Sequence, residues 1–181
     1  MSFKDSVKYI TTTLQEVLSN NDSAQIQEVI DYILKANKIF VYGVGRSGHV
    51  GKGFAMRLVQ LGLKAYFIGE TITPIVESED CAIIVSNTGE TMSAIQTGNI
   101  VRRVGAYVVV ITSSKKSKLA HLANIVVCIP IKDEERKKDL APLGTLFEDS
   151  TMIFLDGVVS ELMQKLGETE ETMRGRHAIM V

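Results

Sequence analysis

The chain has 181 residues, 45% of them apolar, which suits one domain with a sizeable core. It carries 20 Lys and Arg against 21 Asp and Glu, so its charge gives no case for binding nucleic acid or an anionic membrane. Without a membrane-length apolar run, a signal-peptide core or more than two cysteines, the chain is expected to be a cytoplasmic protein.

The first 36 residues have the helical period of amphipathic segments. Apolar residues recur three and four positions apart and predict two helices, Lys4–Ser19 and Ser23–Ala36, separated by the polar turn Asn20–Asp22. Stripes of this kind usually pack on a core or on a second subunit.

Five continuous apolar runs follow and are typical of strands buried on both faces. They are Lys38–Tyr42, Ala65–Ile68, Cys81–Val85, Tyr107–Ile111 and Ile125–Ile129. The helices predicted between them end near Leu61, span Met92–Val104 and span about Ser117–Leu122. This alternation predicts an α/β fold, a three-layer αβα sandwich whose parallel sheet occupies residues 38–131.

The C-terminal part, residues 145–181, is predicted to hold one long helix, about Leu146–Leu166, and a tail from Arg174 to Val181. Between the sheet and this helix lie eight consecutive charged residues, Lys132–Asp139, without net charge. We interpret that run as a solvated excursion of the chain.

The loop after the third strand is rich in hydroxyl groups. Its sequence, Ser86-Asn87-Thr88-Gly89-Glu90-Thr91, ends at a helix start, whose free N–H groups and positive dipole end attract phosphate. Its three hydroxyls would add donors, and Gly89 would let the backbone approach the anion. Alternatively, Thr88 or Thr91 only caps the helix. Glu90 would repel a dianion and is expected to point away.

The loop after the first strand, Gly43-Val44-Gly45-Arg46-Ser47-Gly48, allows two interpretations. It matches the G-x-G-x-x-G dinucleotide fingerprint, with Glu70 as the ribose-binding acid. A sugar-phosphate site uses both loops instead, with Ser47 at the phosphate and Arg46 near the sugar oxygens. A solvated side chain or an ion pair is the commoner fate of an arginine at a helix start.

Several segments together resemble a known superfamily over nearly the whole chain. The loops 45–48 and 86–91 resemble the signature loops of the sugar isomerase (SIS) domain, a flavodoxin-like five-stranded parallel sheet that binds phosphosugars. Residues 69–74, residues 142–148 and Arg176-His177 resemble the 6-phospho-3-hexuloisomerase family, with Ile72 in place of an expected threonine.

The resemblance implies an isomerase that interconverts D-arabino-3-hexulose 6-phosphate and fructose 6-phosphate in formaldehyde fixation. It implies no metal or redox cofactor, a homo-oligomer (a tetramer favoured over a dimer), and a functional link to 3-hexulose-6-phosphate synthase. The substrate-binding residues it implies are Gly45, Arg46, Ser47, Glu70, Thr71, Thr73, Ser86, Asn87, Thr88, Gly89 and Thr91.

Two residues are predicted to be catalytic, Glu148 from the resemblance and His177 from its place between basic residues and an apolar tail end. Glu148 would be the base, although Thr145 and Glu148 also match the S/T-x-x-E capping box at the start of the last helix. His177 would assist ring opening of fructose 6-phosphate from a tail docked on a neighbouring subunit, or else belong to a frayed terminus. Two other functions stay open: a non-catalytic sugar-phosphate sensor, and an isomerase of another phosphosugar.

Overall fold

A five-stranded parallel sheet forms the centre of the computed structural model, which describes residues 2–19, 23–132 and 134–179. Its strands are β1 (Ile39–Gly43), β2 (Ala65–Phe67), β3 (Cys81–Val85), β4 (Tyr107–Thr112) and β5 (Ile125–Cys128). They lie side by side in the order β2-β1-β3-β4-β5. The predicted three-layer α/β architecture is therefore confirmed.

Helices cover both faces of the sheet. They are α1 (Phe3–Leu18), α2 (Ser23–Lys35), α3 (Gly45–Gln60), α4 (Met92–Val104), α5 (Glu135–Leu140), α6 (Thr145–Leu166) and α7 (Glu170–Gly175), with a 3₁₀ turn at Ala120–Leu122. Among the described residues, none of these helices has the length and apolarity needed to span a membrane.

The strands are apolar along their whole length because both of their faces are buried. Val41 and Ile83 pack into a cluster with residues of α2, α3 and α6, whereas Phe40 and Ile84 pack on the opposite face against α4. Every residue of β3, the central strand, is buried. Burial also raises the pKa of the Cys81 thiol to about 12, so this cysteine is a small apolar core residue.

The strand order places a switch point between β1 and β3. The chain leaves β1 through α3 toward β2 on one side, and leaves β3 through α4 toward β4 on the other. The two connections diverge beyond the carboxyl ends of the strands, which leaves a crevice between the first turns of α3 and α4. In open α/β sheets ligands bind at this position.

The short elements differ from the prediction: the helix expected at about Ser117–Leu122 is only the 3₁₀ turn Ala120–Leu122, and two short helices are not predicted. Helix α5 takes up the second half of the charged run Lys132–Asp139, which is predicted as an excursion, and it ends at Leu140, whose side chain is buried. Helix α7 includes the start of the predicted tail and begins with a capping box between Thr169 and Thr172. The predicted turn Asn20–Asp22, Asp133 and the last two residues of the tail lie outside the described residues.

Candidate active site

The loops after β1 and β3 line one cleft of about 140 Å³ at the switch point. Its lining comes from the first turns of α3 and α4 and from the loop between β3 and α4: Val44, Ser47, Val85, Ser86, Asn87, Thr88, Thr91 and Ala94. The fold thus brings together five predicted substrate-binding residues from two separate loops. Two helix N-termini and several hydroxyls around a small cleft favour a phosphate group.

Within the cleft, the hydroxyl groups are not used to cap α4. Ser86 is only 4% exposed, and its Oγ donates to Thr91 Oγ1 at 3.3 Å. Thr91 occupies the N-cap position of α4 but makes no side-chain capping bond. Thr88 Oγ1 instead accepts a hydrogen bond from the Glu90 N–H at 3.2 Å. The capping alternative for Thr88 and Thr91 is therefore wrong.

The backbone of the hydroxyl loop is fixed by the neighbouring strand. The Asn87 carbonyl accepts three hydrogen bonds, from Thr112 Oγ1 at 3.0 Å, the Ser113 N–H at 2.9 Å and Ser113 Oγ at 2.8 Å. The sequence gives no sign of these supporting residues, because they reach Asn87 only through the pairing of β3 with β4. Their bonds preorganise the loop for a ligand.

Glu90 lies outside the cleft lining, as expected for a carboxylate in a phosphate-binding loop. Its carboxylate accepts a hydrogen bond from the Lys118 N–H at 2.9 Å and pairs with Lys118 Nζ at 3.1 Å. The backbone hydrogen bond is the main reason that the pKa of Glu90 lies below its ordinary value. Lys118, rather than only the dipole of α4, therefore neutralises this charge.

Gly89 allows the loop to pack against Ser117, which lies just before the 3₁₀ turn, and replacing Gly89 should lower the stability of the protein. Its φ is +66°, and a Cβ built there would lie 2.1 Å from Ser117 Oγ. Gly167 is a matched control because its φ is +68° but a Cβ would meet nothing within 4 Å. Both Gly89→Ala and Gly167→Ala incur the left-handed backbone strain.

We expect Gly89→Ala to lower the free energy of unfolding by about 2 kcal/mol more than Gly167→Ala, because only Gly89→Ala also overpacks a buried contact. Urea unfolding followed by circular dichroism measures both variants. Equal losses would mean that Ser117 yields to the new methyl group without cost.

A second group of charged residues adjoins the cleft. Glu148, on the first turn of α6, is 9% exposed, and its Oε2 accepts a hydrogen bond from Arg46 Nε at 2.5 Å. Arg46 Nη2 also lies 3.5 Å from Asp149 Oδ1. The hydrogen bond to Glu148 is the main reason that the pKa of Arg46 is raised. Arg46 precedes Ser47 of the cleft on the first turn of α3, so Arg46 connects Glu148 to the turn that helps to line the candidate phosphate site.

The capping-box alternative for Glu148 is wrong. Gly144, not Thr145, is the N-cap residue of α6, and no side chain caps this helix. Thr145 Oγ1 donates to the Pro142 carbonyl at 2.7 Å. The carboxylate of Glu148 instead forms an ion pair with Arg46, as the ion-pair alternative for Arg46 describes. The place of Arg46 near the sugar oxygens stays a prediction. Asp149 was not predicted, and no motif in the sequence indicates it.

The predicted residues after β2 sit at the same sheet edge but not in the cleft. In the described chain, Glu70, Thr71 and Thr73 are absent from the cleft lining, and so is Gly45, the first residue of α3. Glu70 Oε1 pairs with Lys52 Nζ at 2.9 Å.

The same loop is shaped by local hydrogen bonds. Thr73 Oγ1 donates to the carbonyls of Phe67 and Glu70, at 3.0 and 2.7 Å, whereas Thr71 and Ile72 are exposed. Thr73 therefore closes a turn, and Thr71 and Ile72 face the solvent.

His177 is not brought to Glu148 within one chain. It borders a pocket with Arg57 and Gln60 in the last turn of α3, whereas Arg46 lies in the first turn. At a rise of 1.5 Å per residue, the two ends of this helix are about 22 Å apart.

The position of His177 is fixed by its neighbour Arg176. The Arg176 guanidinium pairs with Glu168 at 2.8 Å and donates to the Gln60 carbonyl at 3.0 Å. Mainly because of the hydrogen bond from Arg176, the pKa of Glu168 falls to about 2.

Comparisons with known proteins agree with this architecture. A family model described as the SIS domain matches residues 32–156. A Methanocaldococcus jannaschii protein named 3-hexulose-6-phosphate isomerase is 37% identical over 84% of this chain and 82% of its own length. A Bacillus subtilis protein of the same name is 33% identical over 96% and 97%. The crystal structure of a hypothetical protein from Methanococcus jannaschii, described as inferring the function of 3-hexulose-6-phosphate isomerase, has a TM-score of 0.86 at 34% identity and covers 98% of both chains.

Proposed function

The chain belongs to the SIS domain family, and we propose that it is a 6-phospho-3-hexuloisomerase that interconverts D-arabino-3-hexulose 6-phosphate and fructose 6-phosphate. Relatives with that name at 33 and 37% identity support the proposal. The observation that carries it is the nearly buried carboxylate of Glu148, which is held by Arg46 next to a hydroxyl-lined cleft. A base beside a phosphate anchor is what this isomerisation needs.

The chemistry moves protons at both carbon and oxygen. A base removes the proton from C2 of the 3-ketose, and the electron pair forms a 2,3-enediolate. The hydroxyl proton then passes from the C2 oxygen to the C3 oxygen, and a proton delivered to C3 leaves the carbonyl at C2. Glu148 is the proposed base. Arg46 lies against it and would stabilise negative charge on the enediolate oxygens.

The cleft would hold the phosphate so that C2 and C3 reach Glu148. The hydroxyls of Ser47, Ser86 and Thr91 and the first turns of α3 and α4 would supply the donors, since the described residues that line the cleft include no lysine or arginine. Holding the substrate at its far end places the reacting carbons by geometry, and such positioning is a large part of catalysis.

Coupling to a second enzyme tests the reaction. The purified protein is incubated with fructose 6-phosphate and 3-hexulose-6-phosphate synthase, which splits the 3-ketose into ribulose 5-phosphate and formaldehyde. Formaldehyde should appear only when both proteins are present. No formaldehyde from an active synthase would refute the proposed activity.

The two alternatives predict different outcomes when the protein is incubated with a phosphosugar in deuterated solvent. A sensor would bind fructose 6-phosphate without exchanging its carbon-bound protons with solvent deuterium. An isomerase of another phosphosugar would catalyse exchange on that sugar but not on fructose 6-phosphate. The nearly buried carboxylate of Glu148 favours catalysis over sensing, because a sensor has no need of a base.

We also propose that the enzyme works as a homo-oligomer, with a tetramer favoured. Large apolar side chains on the outer faces of α3 and α6 are about half exposed: Met56, Val59, Met152 and Ile153. A second chain that covers them would bury this surface. A neighbour is also needed if His177 is to act, because it lies at the far end of α3 from Arg46.

The proposed role of His177 predicts a directional effect. The 3-ketose 6-phosphate has no stable ring, because O6 is blocked and O5 would close a four-membered ring, whereas fructose 6-phosphate closes a furanose. If His177 opens that furanose, His177→Ala should slow the first turnovers from fructose 6-phosphate by about 10²-fold and slow the opposite direction less. The equilibrium constant cannot change.

A truncation supplies the control for this prediction. Removing residues 177–181 keeps the anchor of Arg176 to Glu168 and Gln60 but deletes the imidazole. The truncated chain should behave like His177→Ala, with the oligomer size measured by light scattering. If both rates survive the truncation, His177 has no catalytic role. Equal losses in both directions would point to a proton shuttle between the C2 and C3 oxygens instead.

A further inference from the structure

The turn that leads into α6 has its glycine at an unexpected position. The Thr145 N–H donates to the Pro142 carbonyl at 3.3 Å, so Leu143 and Gly144 are the two central residues. Leu143 has a φ of +57°, whereas Gly144 has a φ of −90° and a ψ of 5°. In turns of type II′ the first central residue needs the positive φ and is usually glycine. Here leucine occupies that position, and the conformation of Gly144 is open to any residue.

The lack of room for a Cβ atom, rather than the backbone conformation, explains why position 144 is a glycine. A Cβ built on Gly144 would lie 2.6 Å from Oε1, 2.9 Å from Cδ and 3.3 Å from Oε2 of Glu148. The three nearest atoms all belong to one carboxylate group. That group lies against the Cα of Gly144, and from there its Oε2 accepts the hydrogen bond from Arg46 Nε.

We propose that Gly144 is a positioning residue for Glu148: without a Cβ, it lets the carboxylate fold back over the first turn of α6 and meet Arg46. The inference rests on the proposed function of Glu148 as the base. The obstructed atoms are the end of a flexible side chain, so an added Cβ is accommodated when the carboxylate turns aside. The fold then survives while the base leaves its place.

Two substitutions separate this effect from helix capping. Gly144→Ala and Gly144→Ser both add a Cβ, but serine is a preferred N-cap residue and alanine is not. Both variants should lower kcat by about 10²-fold, because displacement of a catalytic group by roughly 1 Å has that effect. KM should change little, since the cleft residues belong to α3, α4 and the loop after β3. Recovery of kcat in Gly144→Ser alone would overturn the proposal in favour of a capping role.

A shorter carboxylate should remove the conflict. Glu148→Asp lacks one methylene, so its carboxylate no longer reaches Gly144. Adding Gly144→Ala to Glu148→Asp should therefore lower kcat no further, although Gly144→Ala lowers it strongly in the native chain. The same fold-loss in both backgrounds would show that the two residues act independently, and the proposal would fail.

A spectroscopic measurement distinguishes failure of this inference from failure of the proposed function. The Nε–H resonance of Arg46 reports the hydrogen bond to Glu148 and should shift in both Gly144 variants. If it shifts while kcat is unchanged, Gly144 positions the carboxylate but Glu148 is not the base. If it does not shift in either variant, Gly144 has no positioning role, whatever the activity.

Discussion

Replacing Glu148 with glutamine is expected to lower kcat by about 10²- to 10⁴-fold, because glutamine cannot take the proton from C2. The substitution retains the shape of the side chain and leaves an amide oxygen that can still accept a hydrogen bond from Arg46 Nε. The chain should therefore fold normally and bind the phosphosugar with little change in affinity. The uptake of solvent deuterium into the sugar, followed by NMR, measures the proton transfer itself.

Asp149→Asn is the matched control for this loss. It makes the same change of charge at the next residue, and Asp149 also faces Arg46, at 3.5 Å from Nη2. Because Asp149 is more exposed than Glu148, removing its charge should lower kcat by no more than about fivefold. If the two variants lose activity equally, the loss comes from the changed electrostatic field around Arg46 and not from removal of a base. If deuterium uptake in Glu148→Gln is undiminished, Glu148 is not the base.

The sequence predicts the sheet well because strands that are buried on both faces are continuous apolar runs. The strand Cys81–Val85 and the helix Met92–Val104 have their predicted bounds. Helices α5 and α7 were not predicted because they are short and have almost no apolar period. Only Leu140 is buried in α5, and no residue is buried in α7, which is stabilised by its capping box and one exposed ion pair, Glu170 with Arg174. Such local interactions leave little pattern in a sequence.

The candidate site could be predicted only in part. The hydroxyl loop follows from composition and from the helix start after it. The hydroxyl loop meets Ser47 only because β1 and β3 are neighbours in the sheet. The spacing of these strands along the chain does not determine that they are neighbours. The contact of Arg46 with Glu148 joins residues 102 positions apart and depends on how α3 packs on α6. The local sequence matches a capping box, but the contact with Arg46, a residue distant along the chain, determines where the side chain of Glu148 points.

Removing two hydroxyls from the cleft should weaken phosphosugar binding by about 10²- to 10⁴-fold in the Ser86→Ala, Thr91→Ala double variant, since each of the two hydrogen bonds to a charged group contributes roughly 1.5 to 3 kcal/mol. The two oxygens lie 3.3 Å apart, so both can donate to one phosphate. Because they also contact each other, the single variants need not sum to the double. Calorimetric titration with fructose 6-phosphate measures the loss.

The source of that loss is identified by two comparisons. Inorganic phosphate should lose affinity for the double variant by a similar factor, whereas unphosphorylated fructose should bind neither protein usefully. Thr97→Ala removes a hydroxyl from the same helix outside the cleft and should leave the affinity unchanged. Unchanged affinity in the double variant would place the phosphate elsewhere. In that case the cleft between α3 and α4 would no longer explain how the reacting carbons reach Glu148, and the proposed mechanism would lose its anchor.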